Sequence, residues 1–151
     1  MAGSARTMDP PFAGGFVLRV DGVEIGAFTE VSGLAVTLDV EEIAEGGNNE
    51  TTVKVPGRLK WPNLVFKRGI TADDNLLAWM ITSAGDGYER QARKLVRRTG
   101  AVVLLNSKHA KVREWKFRDA MPVRWTGPAL AAGSNAVATE ELEVCHGGFT
   151  V

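Results

Sequence analysis

The sequence has one cysteine, two histidines and no net charge, and each shortage removes a class of protein. Cys145 stands alone, so no intramolecular disulfide can form. His109 and His146 accompany no H-E-x-x-H, no paired cysteines and no His/Asp/Glu cluster at ligand spacing, which argues against a metal site. No apolar run approaches the ~18 residues of a membrane span, and the opening MAGSARTMDPPFAGG lacks the apolar segment of a signal peptide. Synthesis in the cytoplasm without a direct membrane anchor is the expectation. Nor does the chain contain G-x-S-x-G, G-x-G-x-x-G or G-x-x-x-x-G-K-[ST]. No catalytic residue and no cofactor are expected.

What is present suits one β-rich domain. The chain has 151 residues, 44% of them hydrophobic, and its 17 glycines imply many turns. Its charges are segregated. Residues 89–118 hold ten Lys/Arg and two Glu, a net +8, while the remainder carries −8. A patch for nucleic acid is one reading; a solvated strand, or subunits meeting positive face to negative face, is the other.

Residues 1–14, rich in Pro, Gly and Ala, form a flexible arm on this reading, ahead of a domain spanning 15–151. In FVLRVDGVEIGAF, Asp21-Gly22 supplies a two-residue hairpin turn. Facing pairs Val20–Val23, Leu18–Ile25 and Phe16–Ala27 would line one side, with Arg19 opposite Glu24 on the other. AVTLDVEEI (35–43) alternates as a half-buried strand, and NLVFKRG (63–69) as another. One helix is predicted at about 72–84. Thr71 would be its cap, Leu76, Leu77, Met80, Ile81 and Ala84 its apolar stripe, and Gly85 its stop. After a GDG turn, three further segments alternate as strands: RKLVRRTGAVVLLN, KVREWKFRDAMPVRW and AVATEELEVCHGGF. Seven or eight strands with one flanking helix make a β-sandwich or barrel.

Cys145-His146 resembles a thiol–imidazole pair, but neighbours on a strand point to opposite faces. A buried apolar cysteine beside an edge histidine is the expectation. Trp61, Trp79, Trp115 and Trp125 each sit in an alternating or amphipathic run, as core or interface anchors do. The connection from about Ala44 to Arg58 is longer than a hairpin loop needs. It carries Glu45, Gly46, Gly47, Asn48, Asn49, Glu50, Lys54, Pro56, Gly57 and Arg58. Its prolines oppose regular pairing, and its polarity opposes collapse onto its own domain. It reads as an inter-strand arm that docks on another protein.

Three segments carry a family resemblance: VDGVEIGAFTEVSGL (20–34), EGGNNETTVKVPGRLKWPNLVFKRGI (45–70) and WKFRDAMPVRWTGPALAAGSNAVATEELEVCHGGF (115–149). Together they resemble the inner-tube proteins of contractile phage tails and phage-derived contractile injection systems, across about residues 12–151. The resemblance implies two packed antiparallel sheets in a barrel-like domain with a helix at its side. It also implies six-membered rings of the chain itself, stacked into a hollow tube. A contractile sheath, a baseplate and a spike would be its partners, with cargo in the lumen and no sequence-specific nucleic acid. Residues 45–58 would make the contacts between subunits and rings. A tube-initiating subunit at the baseplate end is the alternative within the family. A small cofactor-binding β-barrel, such as a flavin binder, and a nucleic-acid-binding barrel are the alternatives outside it.

Overall fold

The hairpin at Asp21-Gly22 forms as its turn chemistry requires. In the computed structural model, which describes residues 14–44, 46–47, 51–83, 98–133 and 136–151, β1 (Gly15–Val20) and β2 (Val23–Phe28) pair across it. Asp21 and Gly22 have φ of 50° and 80°, the left-handed pair of a two-residue turn. Val20 faces Val23 and Arg19 faces Glu24, but the register then slips. Leu18 pairs with Gly26 and Phe16 with Phe28, so the expected Leu18–Ile25 and Phe16–Ala27 pairs do not form. Packing gives the reason. The bulge turns Phe28 inward, where its ring centroid lies 5.1 Å from that of Phe66; unbroken alternation would have put the smaller Ala27 there.

The chain continues through β3 (Glu30–Ser32), β4 (Thr37–Ala44), β5 (Thr52–Lys60), β6 (Leu64–Gly69), α1 (Asn75–Ser83), β7 (Arg98–Leu105), β8 (Lys111–Thr126), β9 (Thr139–Cys145) and β10 (Gly148–Thr150). The main sheet runs β2-β1-β7-β8-β9-β6-β3, with β10 added to β8; β4 and β5 form a separate pair. The fold is mainly β and antiparallel, as expected, with ten strands among the described residues.

β8 joins two half-sheets. Its first part pairs with β7 and its last, from Met121, with β9. Between them Asp119 has φ of 54°, a left-handed bend that short polar side chains tolerate better than most. Pro122 sits beside a second bulge, a setting in which a strand accepts proline. The bent sheet encloses one core. Leu18, Val20, Val102 and Phe117 come from one half, Leu64, Phe66, Leu142 and Val144 from the other, and Leu76 and Trp79 from the helix. β2 meets β6 through the Phe28–Phe66 contact, and the Thr29 amide just after β2 donates to the Lys67 carbonyl.

The helix starts later than expected, at Asn75. Asp73, not Thr71, accepts the Asn75 amide at 3.2 Å, so the first helical residue is Asn75. Trp79, absent from the expected stripe, is buried one turn after Leu76, whereas Ile81 is 57% exposed. Residues 1–13, Ala84, Gly85, the GDG turn and the start of the 93–106 strand lie outside the described residues.

If the bend at Asp119 sets the angle between the half-sheets, Asp119→Val should lower unfolding free energy by about 1–2 kcal/mol. Asp119→Gly should hold or raise it. Urea titration of both variants checks the pair.

Candidate assembly interface

β4 and β5 stand apart from the core as a two-stranded ribbon. The segment 35–43 was expected to be half-buried and 44–58 irregular; neither expectation holds. β4 is exposed along nearly its whole length, and Thr52–Lys60 is a regular partner strand. Pro56 does not prevent pairing because β5 is bonded on one side only and Pro56 lies at a shift of register.

Cross-strand partners share a face, so the register assigns the ribbon's two surfaces. On one, Val40 faces Pro56, with Glu42–Lys54 and Ala44–Thr52 toward the tip. On the other, Glu41 faces Val55 and Ile43 faces Val53. Leu38 and Leu59 pair at the base. Five of these apolar side chains are roughly half exposed: Leu38 45%, Val40 52%, Ile43 52%, Val53 43% and Leu59 55%. Both faces of the ribbon therefore present apolar surface, the mark of a contact site. The strands also differ in sign. β4 carries Asp39, Glu41 and Glu42, β5 carries Lys54, Arg58 and Lys60, and Lys60 meets Asp39 at 3.0 Å.

Of the residues singled out from sequence, Gly46 and Gly47 lie at the ribbon's turn, where an added Cβ would meet nothing within 4 Å. Lys54, Pro56, Gly57 and Arg58 lie exposed on β5. Glu45, Asn48, Asn49 and Glu50 fall outside the described residues. Sequence reasoning missed Leu38, Val40, Ile43, Val53 and Leu59. The signal was the alternation itself, continued after the turn in TTVKV.

Among the described residues, no three of His, Cys, Asp and Glu converge as metal ligands do. Cys145 is half-buried rather than buried. His146 is not at an edge: its ring packs among Trp61, Phe117 and Phe149. A bowl of about 390 Å³ on the outer sheet face, lined by Arg19, Thr99, Ala101, Glu114 and Lys116, brings no nucleophile against a base.

Among the described residues two charged groups are buried, Arg68 and Glu140, and they bind each other. Arg68 follows Leu64 and Phe66 on the inner face and is 4% exposed. Its Nε donates to Glu140 at 2.6 Å and its terminal nitrogen to Asp73 at 3.0 Å. The Arg68 bond, then the Asn75 amide and the Thr71 hydroxyl, hold the Asp73 carboxyl below its usual range. The network thus ties β6 and β9 to the start of α1. Arg68→Met should cost about 3–5 kcal/mol by leaving Glu140 buried without a partner. The double variant Arg68→Met/Glu140→Leu should recover most of that loss in a denaturant titration.

With this geometry in place, the chain can be set beside known proteins. The family model of the T4-like virus tail tube protein gp19 matches residues 13–150. Nothing among curated protein sequences matches it. A chain of the PVC sheath–tube complex, an extracellular contractile injection system in its extended state, superposes with a TM-score of 0.74 at 23% identity. That match covers 97% of this chain and 92% of the other. A chain of the anti-feeding prophage baseplate gives 0.66 at 26% identity, covering 89% of each. A chain of the anti-feeding prophage tube-terminating cap gives 0.73 at 22%, covering 99% and 97%.

Proposed function

The chain belongs to the T4-like virus tail tube protein family, and we propose that it is the repeating subunit of an inner tube, assembled by docking its β4–β5 ribbon on neighbouring copies. The observation that carries this reading is the ribbon's exposed apolar surface on both faces. A two-stranded ribbon is at best marginal alone in water. Contacts on each face with other copies would complete it and bury its side chains.

In this role six copies close into a ring and rings stack around a lumen, inside a sheath and upon a baseplate. Assembly takes place in the cytoplasm. The residues 45–58 named from sequence act with Leu38, Val40 and Leu59 as the contact surface. Opposite signs on β4 and β5, and between 89–118 and the remainder, favour one surface meeting a different one. Such interfaces bury on the order of 2,000–5,000 Å² in obligate assemblies. The work is mechanical and calls for no catalytic group. Likeness to a baseplate chain also supports a second reading, a tube-initiating ring; copy number per particle separates the two.

Negative-stain electron microscopy and mass in solution test the proposal. The unaltered chain should form six-fold rings or tubes. Val40→Asp should abolish them while shifting the unfolding free energy of the single chain by no more than about 0.5 kcal/mol, as for surface changes generally. Rings formed equally well by Val40→Asp, or a stable dimer carrying a chromophore, would overturn it.

A further inference from the structure

The C-terminal strand β10 is three residues long and pairs with Lys116–Arg118 of β8. The same stretch of β8 is bonded on its other edge to Gly100 and Ala101 of β7. β10 therefore covers an edge of β8 that would otherwise be open. A ladder this short needs further anchorage, and one side chain supplies much of it. The Gly148 amide donates to His146 Nδ1 at 3.1 Å, and His146 Nε2 lies 3.2 Å from the Pro62 carbonyl oxygen. An amide N–H can only donate and a carbonyl only accept, so Nδ1 carries no proton and Nε2 carries one. The imidazole is neutral and bridges β10 to the segment before β6.

The surroundings hold that state. Ring centroids of Trp61, Phe117 and Phe149 lie 6.0, 5.5 and 4.9 Å from that of His146. Gly148 has φ of 133°, and a Cβ there would come within 2.9 Å of the Trp61 ring, so the anchor requires glycine. The titratable groups of the elements packed around the ring come from β8 and β9. β8 contributes Lys116, Arg118 and Asp119, with Arg118 Nε donating to the Gly147 carbonyl at 3.3 Å. β9 contributes Cys145 and Glu143, the latter accepting from Asn63 at 3.1 Å. The segment 61–63 and β10 itself bring no titratable side chain.

We propose that His146 is a proton-operated latch on the C-terminal strand. A proton taken from solvent by Nδ1 converts the acceptor into a donor that faces the Gly148 N–H. The two donors repel, the bond is lost, and β10 separates from β8. Burial keeps the ring below the ordinary histidine value of 6.5, against the pull of the Pro62 carbonyl. The sign follows from linkage: the open state binds the proton more readily than the closed one, so the latch is shut above pH ~6.5 and loosens as pH falls below it. Opening bares the β8 edge at Lys116–Arg118 with Trp61 and Phe117 behind it, a surface suited to a strand from another chain.

Amide hydrogen exchange on the full chain, corrected for the intrinsic pH dependence of exchange, reads this directly. The Gly148 amide, which donates to His146 Nδ1, should lose protection progressively from pH ~6.5 downward, while Leu142 and Val144 keep theirs. His146→Gln, which cannot take up the proton, should remove that pH dependence. The same pH dependence in His146→Gln, or constant protection of Gly148 in the unaltered chain, would overturn the proposal. Titration of the His146 ring protons by NMR in the unaltered chain gives a check independent of the variant's folding. A midpoint below 6.5 is expected, and one at or above it would overturn the latch.

Discussion

The fold depends on one long strand serving two half-sheets. Backbone donors and acceptors buried without partners are costly, and β8 satisfies its own by pairing with β7, β9 and β10 in succession. A flat sixteen-residue strand could not face one core with both halves of its length. The left-handed turn at Asp119 and the bulge beside Pro122 re-aim it, so that Phe117 and Leu142 reach the same interior. The covered β8 edge under β10 follows from the same geometry, because the bend leaves that edge unpaired by β9.

The half-sheets close around a shared interior, and α1 packs into it through Leu76 and Trp79. Arg68 fixes where that helix begins, since its guanidinium holds Glu140 on one side and Asp73, the residue that accepts the Asn75 amide, on the other. The ribbon is what remains. Its apolar residues lie on both faces, and its own domain leaves them exposed.

Much of this was legible in the residues. Alternation located Leu142, Val144 and Phe117, and the Asp21-Gly22 turn located the first hairpin together with two of its pairs. Alternation does not report bulges, however, because an inserted residue shows only in what it brings inward; here that was Phe28. Nor does it say which molecule covers an apolar face. The stretch 35–43 was read as half-buried for that reason, and the prolines hid β5 because an edge strand tolerates what a central strand does not. Arg68 was legible only as the third inward position after Leu64 and Phe66. Its burial rests on two carboxylates, Glu140 and Asp73, that the strand's own sequence does not show.

The same contrast separates the buried polar groups from the ribbon. A catalytic site needs titratable groups brought together and held off balance. Here the deeply buried cation is neutralised by its carboxylates, and both nitrogens of the half-buried imidazole are occupied by backbone. The unsatisfied surface is instead apolar and extended, and it lies outside the core. Substituting it therefore separates two quantities that a core residue would couple, the stability of the subunit and its association. A surface whose unmet demand is contact rather than charge suits completion by other copies, which is the role proposed for β4 and β5.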